Sequence, residues 1–105
     1  MSYKIRIEKE VGEVLAKWKK SRPQMLKKFK KIYLELLEHP TTGTGHPEAL
    51  KGRDGITYSR HLTAHDRILY NIYEEKIIVV ILEVGGFYNN FVEERGLWYE
   101  IRFLL

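Results

Sequence analysis

The sequence of 105 residues contains no cysteine, only three prolines and no long apolar run. The absence of cysteine excludes disulfide bonds, thiolate zinc sites and a cysteine nucleophile, and it suits a reducing compartment. No stretch approaches the roughly 18 consecutive apolar residues that a membrane span needs, and the first residues carry no apolar signal segment. The chain is therefore expected to be a cytoplasmic protein with no membrane partner.

The size and charge of the chain predict one small domain with a basic surface. Hydrophobic residues make up 44% of the sequence, which argues against disorder, and 105 residues can bury one modest core. The net charge is +4, and part of it is concentrated in the basic cluster Lys27, Lys28, Lys30 and Lys31. Such a cluster attracts RNA phosphates without sequence specificity, and an ordinary solvated surface is the alternative interpretation.

Hydrophobic periodicity predicts an α+β order of β-α-α-β-β-β. Tyr3, Ile5 and Ile7 alternate with charged residues as in a half-buried strand. Two helices with apolar stripes follow, the first ending near Lys20 and the second stopped at His39 and Pro40. Ser21 and Gln24 have the spacing of a capping box between them.

Three strands are predicted in the second half of the chain, within residues 57–63, 67–73 and 76–82. In the first of them, Tyr58, Arg60 and Leu62 share one face. The last is apolar on both faces, which is typical of a central strand. The short loops between these strands favour antiparallel pairing.

Residues 40–55 hold two prolines and four glycines, and we predict a stiff loop without a regular element. Gly43, Thr44 and Gly45 lack the strand-to-helix context and the Lys-Ser ending of a nucleotide-binding loop, and we interpret them as positioning Glu48. The histidines show no metal-ligand spacing with a third ligand. No metal or other cofactor is therefore expected.

Four segments follow one another in a characteristic order: Thr42–Lys51, Tyr58–His61, His65–Tyr70 and Gly85–Tyr88. Together they resemble the motifs of the YoeB/Txe toxins of the RelE/ParE superfamily, and the resemblance runs from about Tyr3 to Tyr88. It implies a bacterial toxin that enters the ribosomal A site, cleaves mRNA there, and is held inactive by a cognate antitoxin. It also implies a RelE/ParE-like fold with two N-terminal helices packed on an antiparallel sheet.

The resemblance also implies catalytic roles. Glu48 matches the general base that deprotonates a ribose 2′-hydroxyl, and Arg67 matches the arginine that stabilises the phosphorane. Arg60 and Lys51 match supporting basic positions that hold the RNA backbone. Taken singly, Glu48 would be an exposed loop acid and Arg67 a surface arginine, but the order of the motifs favours the catalytic interpretation.

The chain departs from the family at the general acid. The family usually closes with His-Tyr, and Phe87 stands in the place of that histidine. Phenylalanine cannot donate a proton, and losing a general acid typically costs about 10²–10⁴-fold in rate. Tyr88 remains as a substrate contact or surrogate acid, and His46 and His61 are further proton donors outside the family's acid position.

Residues 1–88 are predicted to form the toxin-like domain, and residues 89–105 a C-terminal extension rich in large apolar side chains. Alternation in Tyr99, Ile101, Phe103 and Leu105 favours an added strand. A cover over the active groove and a contact in a homodimer are the other interpretations.

The function predicted from the resemblance is that of a ribosome-dependent mRNA endoribonuclease, weakened by Phe87. The alternative is a catalytically silent protein that binds antitoxin or ribosome without cleaving RNA. A gyrase-directed toxin of the ParE type would share the fold, but it would not need Glu48 in its loop.

Overall fold

The computed structural model describes residues 2–50 and 56–86. Its helices and strands are β1 Lys4–Ile7, α1 Lys9–Ser21, α2 Pro23–Leu36, β2 Glu48–Ala49, β3 Thr57–His61, β4 Arg67–Tyr73 and β5 Ile78–Gly85. The two described helices have 13 and 14 residues, and neither is long and apolar enough to cross a membrane. The predictions for Lys51, Phe87, Tyr88 and the 89–105 extension lie outside the described residues.

The strands form one mixed sheet in the order β1-β5-β4-β3-β2. The pairs β2–β3, β3–β4 and β4–β5 are antiparallel, as short connections between consecutive strands require. The prediction of a wholly antiparallel sheet was wrong for β1, which pairs with β5 in parallel. Because α1, α2 and three strands separate β1 from β5, no hairpin fixes their relative direction.

The strand β5 lies between β1 and β4, as its two apolar faces predicted. It begins two residues later than predicted, because Lys76 and Ile77 belong to the turn after β4. Ile77 has a positive φ of 55°, and its N–H donates to the Glu74 carbonyl oxygen at 3.2 Å. A register irregularity opposite Leu69 and Tyr70 then shifts the pairing of β4 with β5 by one residue.

The two helices bury their apolar stripes against one face of the sheet. The core contains Val11 and Trp18 of α1 with Phe29, Ile32 and Leu36 of α2. On the sheet side it contains Ile68, Tyr70, Ile72, Val79, Ile81 and Val84.

The predicted capping box between the helices was wrong. The Ser21 hydroxyl donates to the Lys17 carbonyl oxygen at 2.9 Å, so it closes the end of α1. The residue that caps α2 is Arg22, and no side-chain hydrogen bond accompanies it. Pro23 occupies the first turn, where a missing N–H costs nothing.

The other face of the sheet carries a separate and smaller apolar group, in which Leu50 and Leu82 pack against the buried Leu69. Because side chains alternate along a strand, Leu69 shares this face with Arg67, while Ile68 and Tyr70 join the helix-covered core. The predicted catalytic charges therefore belong to the face that the helices leave uncovered.

Candidate active site

Glu48 lies on a strand that the sequence did not predict. Residues 40–55 were expected to form no regular element, but Glu48 and Ala49 pair with Ser59 and Tyr58 of β3. Two residues are too short for an alternating pattern, which is why periodicity misses this strand. The Glu48 side chain is exposed at the edge of the sheet and lies directly opposite Ser59.

Arg67 lies one strand further into the sheet and is held by two side chains of β3. One terminal nitrogen donates to the Ser59 hydroxyl at 2.8 Å, and the other lies 2.8 Å from Nε2 of His61. Arg67 is only 8% exposed, so these contacts fix a guanidinium that is largely withdrawn from water. Ser59 thus lies opposite the carboxylate of Glu48 and in contact with the guanidinium of Arg67.

His61 is a hydrogen-bond partner of Arg67. A guanidinium can only donate hydrogen bonds, so Nε2 of His61 is the acceptor in this contact. His61 therefore lies beside the predicted phosphate site and helps to fix the orientation of the Arg67 guanidinium.

The turn before β4 places Arg67 at the start of its strand. The Thr63 hydroxyl donates to Asp66 at 2.7 Å and accepts the N–H groups of His65 and Asp66. Burial opposes ionisation of Asp66, but the Thr63 hydrogen bond and the Arg22 guanidinium at 3.3 Å outweigh it and hold the pKa of Asp66 below its usual value. This carboxylate therefore stays charged and ties the turn to the helical layer.

The predicted role of Arg60 in holding RNA does not fit its position. Arg60 is fully buried on the core side of β3. Its neighbours in sequence, the buried Ser59 and the half-buried His61, lie on the other face of the sheet. The Arg60 guanidinium pairs with Glu35 at 2.7 Å and donates to the carbonyl oxygens of His39 and Thr42. A group enclosed in this way cannot reach a phosphate, and His61 occupies the corresponding place on the site face.

Glu35 of α2 completes this buried network. It accepts the Arg60 guanidinium and both the backbone N–H and the hydroxyl of Thr44, at 2.7, 2.8 and 2.6 Å. Burial disfavours the charged form of Glu35, yet the hydrogen bonds from Thr44 and Arg60 prevail and lower its pKa. The hydroxyl of Tyr70 adds a bond to the Pro40 carbonyl oxygen at 2.7 Å.

The glycines at 43 and 45 are required by this network. Gly43 has a φ of 121°, and a Cβ there would collide with the Glu35 carboxylate. Gly45 has a φ of 86°, and a Cβ there would collide with the backbone of His61. The Gly-Thr-Gly sequence therefore lets the segment approach α2 and β3 closely, on its way to Glu48.

The predicted RNA-binding lysines are not brought to this site. Lys27, Lys28, Lys30 and Lys31 are exposed on α2, which packs on the opposite face of the sheet from Leu69 and Arg67. Their contact with RNA stays a prediction, and it would be made away from Glu48. His46 is exposed beside β2, and no metal-binding cluster occurs within residues 2–50 and 56–86.

A family model for the YoeB-like toxin of bacterial type II toxin–antitoxin systems matches residues 7–84. This match covers most of the chain and includes Glu48, Ser59, His61 and Arg67. A comparison with curated protein sequences finds no match.

Solved structures of this class share the fold. A YoeB/ParE toxin from Agrobacterium tumefaciens superposes with a TM-score of 0.72 at 22% identity, covering 79% of this chain and 96% of that chain. The YoeB dimer from Staphylococcus aureus superposes with a TM-score of 0.70 at 20% identity, covering 81% of this chain and 97% of that chain. The archaeal RelE-RelB complex from Pyrococcus horikoshii superposes with a TM-score of 0.68 at 20% identity, covering 82% of this chain and 96% of that chain. The predicted RelE/YoeB-like fold class is confirmed.

Proposed function

The chain belongs to the YoeB-like toxins of bacterial type II toxin–antitoxin systems, in the RelE/ParE superfamily, and we propose that it is a ribosome-dependent mRNA endoribonuclease. The observation that supports this most is the row formed by Glu48, Ser59 and Arg67 across three adjacent strands. The carboxylate and the guanidinium lie on the face of the sheet opposite the two described helices. Transfer of a phosphoryl group within RNA needs both groups on one face.

In the proposed reaction, the carboxylate of Glu48 takes the proton from a ribose 2′-hydroxyl. The 2′-oxygen attacks the adjacent phosphorus, the bond from phosphorus to the 5′-oxygen breaks, and a 2′,3′-cyclic phosphate is left. Glu48 is exposed and thus accessible to a nucleotide bound over β2 and β3.

Arg67 would stabilise the negative charge that builds up on the phosphoryl oxygens. A planar guanidinium can bridge two such oxygens, and its low exposure strengthens the attraction because little water competes. Ser59 and His61 hold the guanidinium plane in place before substrate arrives. Lys51 is proposed as a further contact to the RNA backbone.

The departing 5′-oxygen needs a proton, and Tyr88 is proposed to supply it where the family has histidine one residue earlier. Changing Phe87→His should raise the rate of mRNA cleavage on purified programmed ribosomes at least about tenfold. This gain is smaller than the roughly 10²–10⁴-fold typical of a general acid, because Tyr88 is proposed to supply part of that contribution already. The conservative control Phe87→Tyr tests whether a second phenol serves equally well. Cleavage by Phe87→His no faster than by the wild type would show that residue 87 does not face the leaving group.

The alternative function is that of a silent toxin that binds without cleaving, and Phe87 is the feature that favours it. In that case the wild type would bind ribosomes and leave mRNA intact, while Phe87→His would cleave. Failure of both proteins to cleave mRNA would refute the endoribonuclease proposal.

A cognate antitoxin is the proposed protein partner. Structural relatives include the YoeB-YefM complex from Staphylococcus aureus and the YoeB dimer from the same organism, so a homodimer is proposed as well. Co-purification after co-expression with the products of the neighbouring genes tests the antitoxin. The mass measured by light scattering tests the homodimer.

A further inference from the structure

We infer that Glu35 and Thr44 are positioning residues for Glu48, because they anchor the segment from His39 to Gly45 that leads into β2. Neither side chain lies on the site face. The inference rests on the proposed role of Glu48 as the base, and it adds to the site a pair of residues on the helical side of the sheet.

The anchor is a pair of hydrogen bonds between α2 and Thr44. Oε1 of Glu35 accepts the Thr44 backbone N–H at 2.8 Å, and Oε2 accepts the Thr44 hydroxyl at 2.6 Å. The same carboxylate receives the Arg60 guanidinium, which also donates to the carbonyl oxygens of Thr42 and Thr44. Both ends of the turn around Gly43 are thereby tied to one charge pair, formed by the buried Arg60 and the half-buried Glu35.

The bonds continue from this anchor to Glu48. The Gly45 carbonyl oxygen accepts the His61 N–H at 2.7 Å, and the Leu50 N–H donates to the Thr57 carbonyl oxygen at 2.9 Å. These two bonds bracket Glu48 on either side and set β2 against β3. The segment between Thr44 and Leu50 therefore has one fixed path along the edge of the sheet.

The strand β2 needs this anchor because its two residues form too few hydrogen bonds to keep it paired with β3. Ordering one residue costs about 1–2 kcal/mol of backbone entropy, and a two-residue edge strand offsets that with few ladder bonds. Residues 39–47 contain no helix or strand, and the exposed Glu48 gains no burial energy from its own side chain. Without the bond from Thr44 to Glu35, we expect β2 to open locally while the core stays folded.

A matched set of variants tests the inference. Thr44→Val removes the hydroxyl at nearly constant volume, and Thr44→Ser keeps it. Ser21→Ala is the control, because the Ser21 hydroxyl also makes a hydrogen bond, to the Lys17 carbonyl oxygen at 2.9 Å, but lies at the end of α1 and not on β2 or β3.

We expect Thr44→Val to lower kcat for cleavage on programmed ribosomes about tenfold, with the KM for ribosomes unchanged, since a displaced base loses alignment and not binding. Thr44→Ser should restore at least half of the wild-type kcat. In hydrogen exchange, the backbone N–H groups of His61 and Leu50 should exchange about tenfold faster in Thr44→Val than in the wild type or in Ser21→Ala.

The exchange measurement keeps this inference separate from the proposed function. If the wild type and Phe87→His cleave no mRNA, the proposed function fails, and exchange at His61 and Leu50 alone decides whether Thr44 positions β2. Unchanged exchange in Thr44→Val overturns the inference whatever the activity. A kcat for Thr44→Val within twofold of an active wild type also overturns it.

Discussion

Changing Glu48→Gln is expected to lower kcat for mRNA cleavage by about 10²–10⁴-fold, the usual contribution of a general base. The amide has nearly the shape of the carboxylate but cannot take the proton of the 2′-hydroxyl. Single-turnover cleavage on programmed ribosomes measures the effect. Because the Glu48 side chain is exposed and makes no contact with the core, the melting temperature should stay within about 2 °C of the wild type.

The matched control is Glu13→Gln, which removes the same charge from an exposed position on α1, the helical layer opposite the site. It should cleave at the wild-type rate. Ribosome binding should be alike for all three proteins, which separates chemistry from affinity. A Glu48→Gln rate within threefold of the wild type would contradict the assignment of Glu48 as the base.

Changing Arg60→Leu is expected to lower the free energy of unfolding by about 1–3 kcal/mol, the cost of leaving hydrogen-bonded groups without their partner. The leucine would leave Glu35, which is 24% exposed, without its cation and deprive the carbonyl oxygens of His39 and Thr42 of their donors. Small domains have about 5–15 kcal/mol of stability in all, so a loss of this size should shift the unfolding midpoint clearly. Urea denaturation followed by tryptophan fluorescence measures it.

Arg22→Leu is the control for this second result. Arg22 forms an ion pair with Asp66 at 3.3 Å, but its side chain is 44% exposed, and exposed pairs contribute about 0–1 kcal/mol. A loss for Arg60→Leu no greater than for Arg22→Leu would show that the buried network does not stabilise the fold.

The local pattern of the sequence was enough to predict β4, whose observed bounds, Arg67–Tyr73, match the prediction. Its mostly apolar residues are flanked by a polar turn on each side, and these turns fix both ends of the strand. The two helices were also predicted, because each carries a continuous apolar stripe. The parallel pairing of β1 with β5 was not predicted, because it depends on contacts between strands that are far apart in the sequence.

The prediction that Arg60 holds the RNA backbone failed to consider which face of β3 the residue occupies. Moving by one residue along a strand reverses the face, so Arg60 and His61 have opposite environments although they are neighbours in sequence. The alternation of Tyr58, Arg60 and Leu62 already placed Arg60 with apolar side chains, and that signal could have identified His61 as the residue beside Arg67. The motif resemblance alone could not separate them.

The proposed cleavage of mRNA at a site built from Glu48 and Arg67 requires the ribose 2′-hydroxyl as the attacking group. To test this requirement, the wild type and Phe87→His are each supplied with two programmed ribosomes, whose mRNAs differ only by a single 2′-deoxynucleotide at the cleaved position. We expect the all-ribose mRNA to give a product ending in a 2′,3′-cyclic phosphate, faster with Phe87→His, and the 2′-deoxy mRNA to stay intact at that bond. Cleavage of both mRNAs at the same rate would contradict this requirement.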